Sequence, residues 1–392
     1  MKLLPFDYAA RNAGRNPLRT ILTTGGAAAV VFLVILMGSF VQTLGATLRG
    51  TGEQDNVIVL GLGSEDYLEQ SEIGFSVPTE MAASVDSIAT QKGTEDPLIS
   101  PEIHHSTIVQ LSADEKPDPK QANSVLVRGV TDKAYIVHRQ VFITEGRAPA
   151  AGEVLMGKLA ATKMGLPPEA LEIGKSIYIE GKTWEISGKF EAPGTTFEAE
   201  IWAPLNDLMI QTKRDSLTCV IARLTSPAAF SDIDLFTKMR LDLELATVKE
   251  VDYYGALAAF FRPMQMLGWI MAALITASGL FGGLNTMIAA ISSRSRELAC
   301  LETIGYSRRA IVVALLQESM LQVGAGSLLA AGLALGLLSG RSVRVTMGAL
   351  ALDVSGPVLA AGFAAGLVLA VLGTLIPASK LVRKPLIDLL RS

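Results

Sequence analysis

The chain has 392 residues, a formal net charge of −4, 18% charged residues and a mean hydropathy of +0.39. Soluble globular domains carry about a quarter charged residues, so the apolar excess argues against an ordinary soluble protein. The near-neutral charge and the 6% aromatic content argue against a nucleic-acid surface.

Residues 1–19 read as a cytoplasmic N-terminal helix. Phe6, Ala10, Ala13 and Leu18 gather near one side, and Arg11, Arg15 and Arg19 recur at every fourth position. That pattern suits an amphipathic helix lying in a membrane interface, with Asn16-Pro17 as the turn into the first span. Four apolar runs reach the roughly 20 residues that cross a hydrocarbon core as a helix: residues 20–48, 263–291, 310–340 and 357–379. The first exceeds the roughly 7–15 residues of a signal-peptide apolar region, so it reads as an uncleaved span.

Basic residues set the topology. Lys2, Arg11, Arg15 and Arg19 precede the first span. Arg294, Arg296, Arg308 and Arg309 lie between the second and third. Lys380, Arg383, Lys384 and Arg391 sit in the tail, residues 380–392. All then face the cytoplasm, as do both termini. The short outer loop, residues 341–356, carries Arg341 and Arg344 as a mild exception. Cys219 and Cys300 fall on opposite sides of the membrane and form no disulfide framework.

Residues 49–262 then form an extracytoplasmic domain of full length. Alternating runs at 56–60, 124–128, 176–180, 183–187 and 218–223 predict strands, with a hairpin around Gly181-Lys182. Helical patterns cover 79–89, 157–164 and 227–243, and residues 114–121, with Pro117 and Pro119, predict an exposed loop. The expected fold is a membrane protein of four transmembrane α-helices, with a large α+β extracytoplasmic domain between the first and second. That domain reads as two lobes, its middle inserted into a split βαβ-type unit.

No active site is legible. Gly152 to Lys158 matches G-x-x-x-x-G-K, but Leu159 stands where a P-loop needs Ser or Thr for magnesium. His104 and His105 are adjacent and point to opposite faces of a strand. His138 is the only other histidine. Glu65, Asp66, Glu69 and Glu72 read as a solvated run. No catalytic, cofactor-binding or metal-ligating residue is expected.

Small residues recur at every fourth position in the spans, in the pattern that lets helix backbones approach. These are Ser278, Gly279, Gly282 and Gly283, then Gly332, Gly336 and Gly340, then Gly362 and Gly366. Glu318, near the start of the third span, is either a functional group in the membrane or one that snorkels or pairs with a nearby arginine.

Residues 292–309 predict a short cytoplasmic helix between two spans. Leu298, Leu301 and Ile304 share a helical spacing, while Arg294, Arg296, Glu297 and Glu302 are displayed. Gly305 suits the helix end and Ser307 caps the next helix. Such an element does no chemistry but can pass force from a soluble partner into the membrane.

The run N-T-M-I-A-A-I-S-S-R-S-R-E-L-A-C-L-E-T-I-G-Y-S-R-R-A-I, Asn285 to Ile311, resembles the signature of ABC transporter permeases of the MacB/FtsX/LolC type. Ala10 to Thr20 is similar to that family's segment before its first span, and Ile376 to Pro385 to its close after the fourth. Thr144-Glu-Gly-Arg147 and the strands around Trp184 match more loosely.

The resemblance implies a dimer with a second permease copy or paralogue, working in a bacterial inner membrane with a cytoplasmic ABC ATPase dimer of LolD/MacB-like kind. ATP and magnesium are then held by that partner, and this chain binds no cofactor and is no enzyme. No ATPase domain precedes the first span in this sequence, so a separate ATPase subunit is expected. In the exporter branch, a periplasmic adaptor and outer-membrane duct receive the substrate. In the lipoprotein branch, lipoproteins are extracted from the membrane. In the FtsX branch, a wall hydrolase is activated and nothing is transported, which is the alternative reading. ATPase contact would fall on residues 292–307.

Overall fold

The computed structural model describes residues 6–112, 124–345 and 348–382. The loop expected at 114–121 and the charges of Lys2, Arg383, Lys384 and Arg391 lie outside the described residues. In chain order the elements are α1 (Phe6–Arg15), α2 (Pro17–Thr51), β1 (Asn56–Gly61), α3 (Val77–Ser84), β2 (Ile99–Ile108), β3 (Ser124–Val130), α4 (Ala134–Val137), β4 (Phe142–Gly146), β5 (Glu153–Gly157) and α5 (Ala160–Met164). There follow β6 (Ser176–Ile179), β7 (Lys182–Glu191), β8 (Ile201–Pro204), α6 (Leu205–Thr212), β9 (Cys219–Arg223), α7 (Phe230–Met239), β10 (Leu245–Lys249) and α8 (Glu250–Phe260). The chain closes with α9 (Arg262–Ser292), α10 (Ser295–Thr303), α11 (Arg308–Leu338), β11 (Ser342–Val345), β12 (Gly348–Ala351) and α12 (Gly356–Val382). Two compact units result. One ends its first segment at Gln42, continues over Pro263–Arg341 and resumes at Leu352; the other is Thr43–Arg262 with Ser342–Ala351.

In the helical unit, α2, α9, α11 and α12 are each long and apolar enough to cross a membrane. The N-terminal helix stops at Arg15 and breaks at Asn16-Pro17, where the turn was expected, so the segment drawn to residue 19 is divided there. The cause is Pro17: the residue before a proline is pushed out of helical geometry, while proline itself suits the first helical turn. Asn16 lends its Oδ1 to the backbone N–H of Arg19 at 3.4 Å, so α2 restarts at once.

Of the small residues singled out in sequence, three pack inside the chain. A Cβ on Gly279 would meet Val30; on Gly362, Ile35 and Val31; on Gly366, Ser327 and Val31. At Gly282, Gly283, Gly332 and Gly336 it would meet nothing within 4 Å, and Ser278 is exposed. Gly340 ends its helix with a positive φ of 77°. Among the described residues of the helical unit, the tightest approach of a glycine to backbone is at Gly326, which no spacing flagged: a Cβ there lies 2.6 Å from the Thr24 carbonyl oxygen. Gly326→Val should therefore force α2 and α11 apart, at roughly 1–3 kcal/mol for overpacking, whereas Gly332→Val should be neutral. Thermal unfolding of the two variants in detergent checks this; equal midpoints would refute the close contact.

The inserted unit is built on a ten-stranded sheet in the order β10-β1-β9-β2-β3-β8-β5-β7-β4, with β6 added to β7. β2 is the bridge: Ile99 to Glu102 pair with β9, and Ile103 to Ile108 pair with β3. One half thus uses both ends of the inserted segment, and the middle supplies the other half. The hairpin turn is Glu180-Gly181, with φ of 48° and 86°, the positive pair that a tight hairpin requires. Trp184, Phe190, Phe197 and Trp202 are fully buried in its core.

Several sequence boundaries move. The helix expected at 79–89 is only α3, and residue 157 closes β5 before α5 begins. The helix expected at 227–243 is α7 flanked by 3-10 turns at Pro227–Ala229 and Leu241–Leu243. The expected loop 341–356 holds the hairpin β11–β12, which belongs to the inserted unit and bonds to α5 through Thr162 and Ser342 at 2.7 Å.

Candidate coupling site

Helix α10 is short because its ends are written into the sequence. Gly305 takes a φ of 105° just past its C-terminus, and Ser307 caps α11 by accepting the Ala310 N–H at 3.3 Å. The apolar set expected on one face divides. Leu298 is buried among Ile291, Ile311, Ala314, Leu315 and Ala378, and Leu301 packs against the same cluster. Ile304 is 75% exposed. The charged set divides too. Arg296 and Glu297 are exposed, while Arg294 and Glu302, expected on display, are turned inward: Glu302 accepts from Arg308 Nε at 2.7 Å. The open stripe of α10 is therefore Arg296, Glu297, Cys300, Thr303 and Ile304. Thr303 was not singled out in sequence and Cys300 only as a lone cysteine, although they stand seven and four positions after Arg296.

Arg294 leads to the feature that ties this helix to the spans. Its Nη1 donates to Glu318 Oε2 at 3.2 Å, its Nε to Glu297 at 3.3 Å and its Nη2 to the Tyr8 hydroxyl at 3.3 Å. Burial disfavours the guanidinium charge, but Glu318, Tyr8 and Glu297 together outweigh that and hold the group above its usual pKa. Glu318, 4% exposed, also accepts from Asn12 of α1 and Arg19 of α2. One carboxylate on α11 thus gathers α1, α2 and the residue that opens α10. The pairing alternative stated for Glu318 is the one found. Asn12 and Tyr8 had no signal beyond their nearness to a span, and Arg19 stood out only for its charge and spacing.

The inserted unit holds a second buried polar cluster. Strand register sets His104, Arg128 and Trp202 side by side on β2, β3 and β8. Arg128, 1% exposed, donates to both oxygens of Glu200 at 2.7 and 2.8 Å and to Glu102 Oε2 at 2.6 Å. His138 meets Glu102 Oε1 at 2.7 Å. Despite its burial, Glu102 is held well below the usual carboxylate range by His138 and Arg128. Burial and the Arg128 charge push His104 down, while Glu102 overcomes burial to raise His138.

Glu102, His104 and Cys219 converge closely enough to hold a metal ion. However, Arg128 Nη1 stands 2.6 Å from both Glu102 Oε2 and His104 Nε2, so a cation already fills the point where these donors meet. His105 points away from the cluster, towards Glu180 at 3.1 Å. The P-loop-like run forms β5 and ends in the turn before α5, with Leu159 buried. Both cysteines are free, Cys219 buried and Cys300 exposed.

A family model described as the MacB-like periplasmic core domain matches residues 20–233, and one described as the FtsX-like permease C-terminal matches residues 269–386. No curated protein matches the chain. Among solved structures, the periplasmic region of MacB from Actinobacillus actinomycetemcomitans aligns at 10% identity and a TM-score of 0.38, over 54% of this chain and 95% of that one. The extracellular domain of the noncanonic ABC-type transporter YknZ from Gram-positive bacteria aligns at 11% identity and 0.37, over 49% and 99%. One family model takes in the first span and most of the inserted domain, and the other takes in the three spans that follow. The chain is thus a multi-pass membrane protein and belongs to the MacB/FtsX-type ABC permeases.

Proposed function

We propose that this permease carries the ATP-driven motion of a separate cytoplasmic ATPase into its extracytoplasmic domain, so that a substrate is exported or extracted from the periplasm or outer leaflet. The Glu318 hub supports this reading. The arginine that opens α10 is bonded to α11 and, through Glu318, to α1 and α2. A push on α10 would therefore reach three further helices without passing through a flexible link. ATP and magnesium would be held by the partner, and a second permease copy would complete the assembly. Basic residues at the α1 and α10 ends of the spans support placing those ends in the cytoplasm of an inner membrane.

The open stripe of α10 would be the ATPase contact. Replacing Arg296 with Glu and Ile304 with Asp together changes charge and apolarity there without touching the buried face. ATPase retention and permease-stimulated ATP hydrolysis in the reconstituted complex should fall at least about tenfold, the scale of interface residues worth more than about 1 kcal/mol each. Unchanged association and stimulation would rule out this stripe as the contact.

A further inference from the structure

The coupling reading brings a push on α10 to α1, α2 and α11 and assigns nothing to the hairpin β11–β12. Helix connections in bundles run to about 2–8 residues, yet the link from Leu338 of α11 to Gly356 of α12 is longer than that and holds two strands. Ser342 pairs with Ala351 and Val345 with Gly348. Beside the first pair, the Leu352 N–H donates to the Arg341 carbonyl at 2.8 Å. A lone two-stranded hairpin is marginal in water, so this one owes its form to what it packs on.

The hairpin is gripped on both faces. Successive residues of a strand point to opposite faces, and both Ala349 and Leu350 are buried. Ala349 packs with Leu159, just before α5, and with Ala199. Leu350 packs with Leu44 and Leu48 near the end of α2 and with Ala258 of α8. Both strands lie against α5, and β12 also lies against the turn Thr196–Ala199. Polar contacts fix the placement: the Thr162 and Ser342 hydroxyls bond at 2.7 Å, and Lys163 Nζ donates to the Val345 carbonyl at 3.4 Å. Arg344, one of the two arginines that departed from the charge rule for topology, lies over Gly165 at the end of α5, where a Cβ would strike its guanidinium. Burial and the nearby Arg344 charge push Lys163 below its usual pKa, so the apolar grip holds the hairpin in place against that repulsion.

We propose that β11–β12 is a strap. It ties the ends of α11 and α12 that flank it to α5 and to the turn Thr196–Ala199, a route into the inserted domain separate from the chain connections through α2 and α8. For the force it carries, the strap rests on the coupling reading. Its strands are already extended, at about 3.3 Å per residue, and their ladder ties each to the other. A displacement entering at either root therefore reaches Ala349 and Leu350 with little slack.

The test is hydrogen exchange of the full chain in detergent, read by mass spectrometry of its peptides. Ala349→Asp sets a carboxylate between Leu159 and Ala199, which expels the hairpin because an unpaired charge is too costly to bury. Exchange of the α5 amides, Ala160–Met164, should rise at least about fivefold, the ratio that corresponds to about 1 kcal/mol. Thr162→Ala with Arg344→Ala leaves the apolar contacts alone. It should move α5 exchange the same way by less, and it serves where Ala349→Asp does not fold. Unchanged α5 exchange in both overturns the strap. A second arm adds Thr162→Cys and Ser342→Cys to Ala349→Asp, with Cys300→Ser, and compares oxidised with reduced protein bound to its ATPase. ATP should shift α5 exchange in the unaltered and oxidised chains and not in the reduced one. A shift of equal size in the reduced chain overturns the strap while the coupling reading stands. No shift in the unaltered chain overturns the coupling reading, and the strap's transmitting role with it.

Discussion

Glu318→Ala should loosen α10 from the spans and abolish coupling. The carboxylate is 4% exposed, and its two arginine partners have side chains 20% and 13% exposed. Removing it leaves Arg19 and Arg294 largely desolvated with no counter-charge in common, and Asn12 loses its acceptor. Breaking a buried pair from one side costs about 3–5 kcal/mol, so the detergent unfolding midpoint should drop sharply. Glu318→Gln keeps the shape and one acceptor and should fall between. Cys300 is exposed on α10 and Cys219 is buried, so a spin label on the native chain reports α10 alone. Its mobility should rise in Glu318→Ala and less so in Glu318→Gln. A label as immobile in both as in the unaltered chain would contradict the hub.

The spans were legible because each is a long apolar run, and α10 because charge interrupts apolarity between two of them. The hairpin and the Ser307 cap were legible because each depends on neighbours in sequence, although the turn falls at Glu180-Gly181, one residue before the expected Gly181-Lys182. The hub was not, because Glu318 finds its partners 306, 299 and 24 residues away, and sequence spacing carries no record of which helices meet. Nor could spacing show that α10 buries Leu298 and exposes Ile304, since Ile304 stands past the last turn, beside Gly305. Among strands, β4 is exposed at every residue and so lacks the alternation of a half-buried strand. β2 contains Pro101, which argues against a strand in the middle of a sheet. Arg128 reads as one charge in an apolar run until β2 and β8 are set on either side of it.

Arg128→Met in that cluster should unfold the inserted unit more readily than any surface change. The arginine is the only cation that binds Glu102 and Glu200 together among the described residues, and its loss leaves two buried carboxylates with like charge, at about 3–5 kcal/mol. The pH dependence follows from the same groups. Glu102 has its pKa lowered from 4.5, so its contribution is present above that value and is lost only as pH falls through the lower folded pKa. His138 has its pKa raised from 6.5. Its contribution is complete below 6.5 and is lost as pH rises through the folded value. Glu250, raised by burial from 4.5, adds a loss in the same direction. His104, lowered from 6.5, works the other way and costs stability as pH falls below that value. Stability of this unit should therefore be greatest on the acid side of neutrality and decline towards pH of about 8. Trp184 and Trp202 lie in its core, and Trp269 lies on α9. Denaturant unfolding of the full chain carrying Trp269→Phe, followed by tryptophan emission, reads the inserted unit directly. His138→Gln should remove most of the decline above 6.5. An unaltered chain equally stable at pH of about 6 and 8 would mean that the Glu102 carboxylate does not hold a proton on His138. The cluster would then owe its stability to the Arg128 bonds alone.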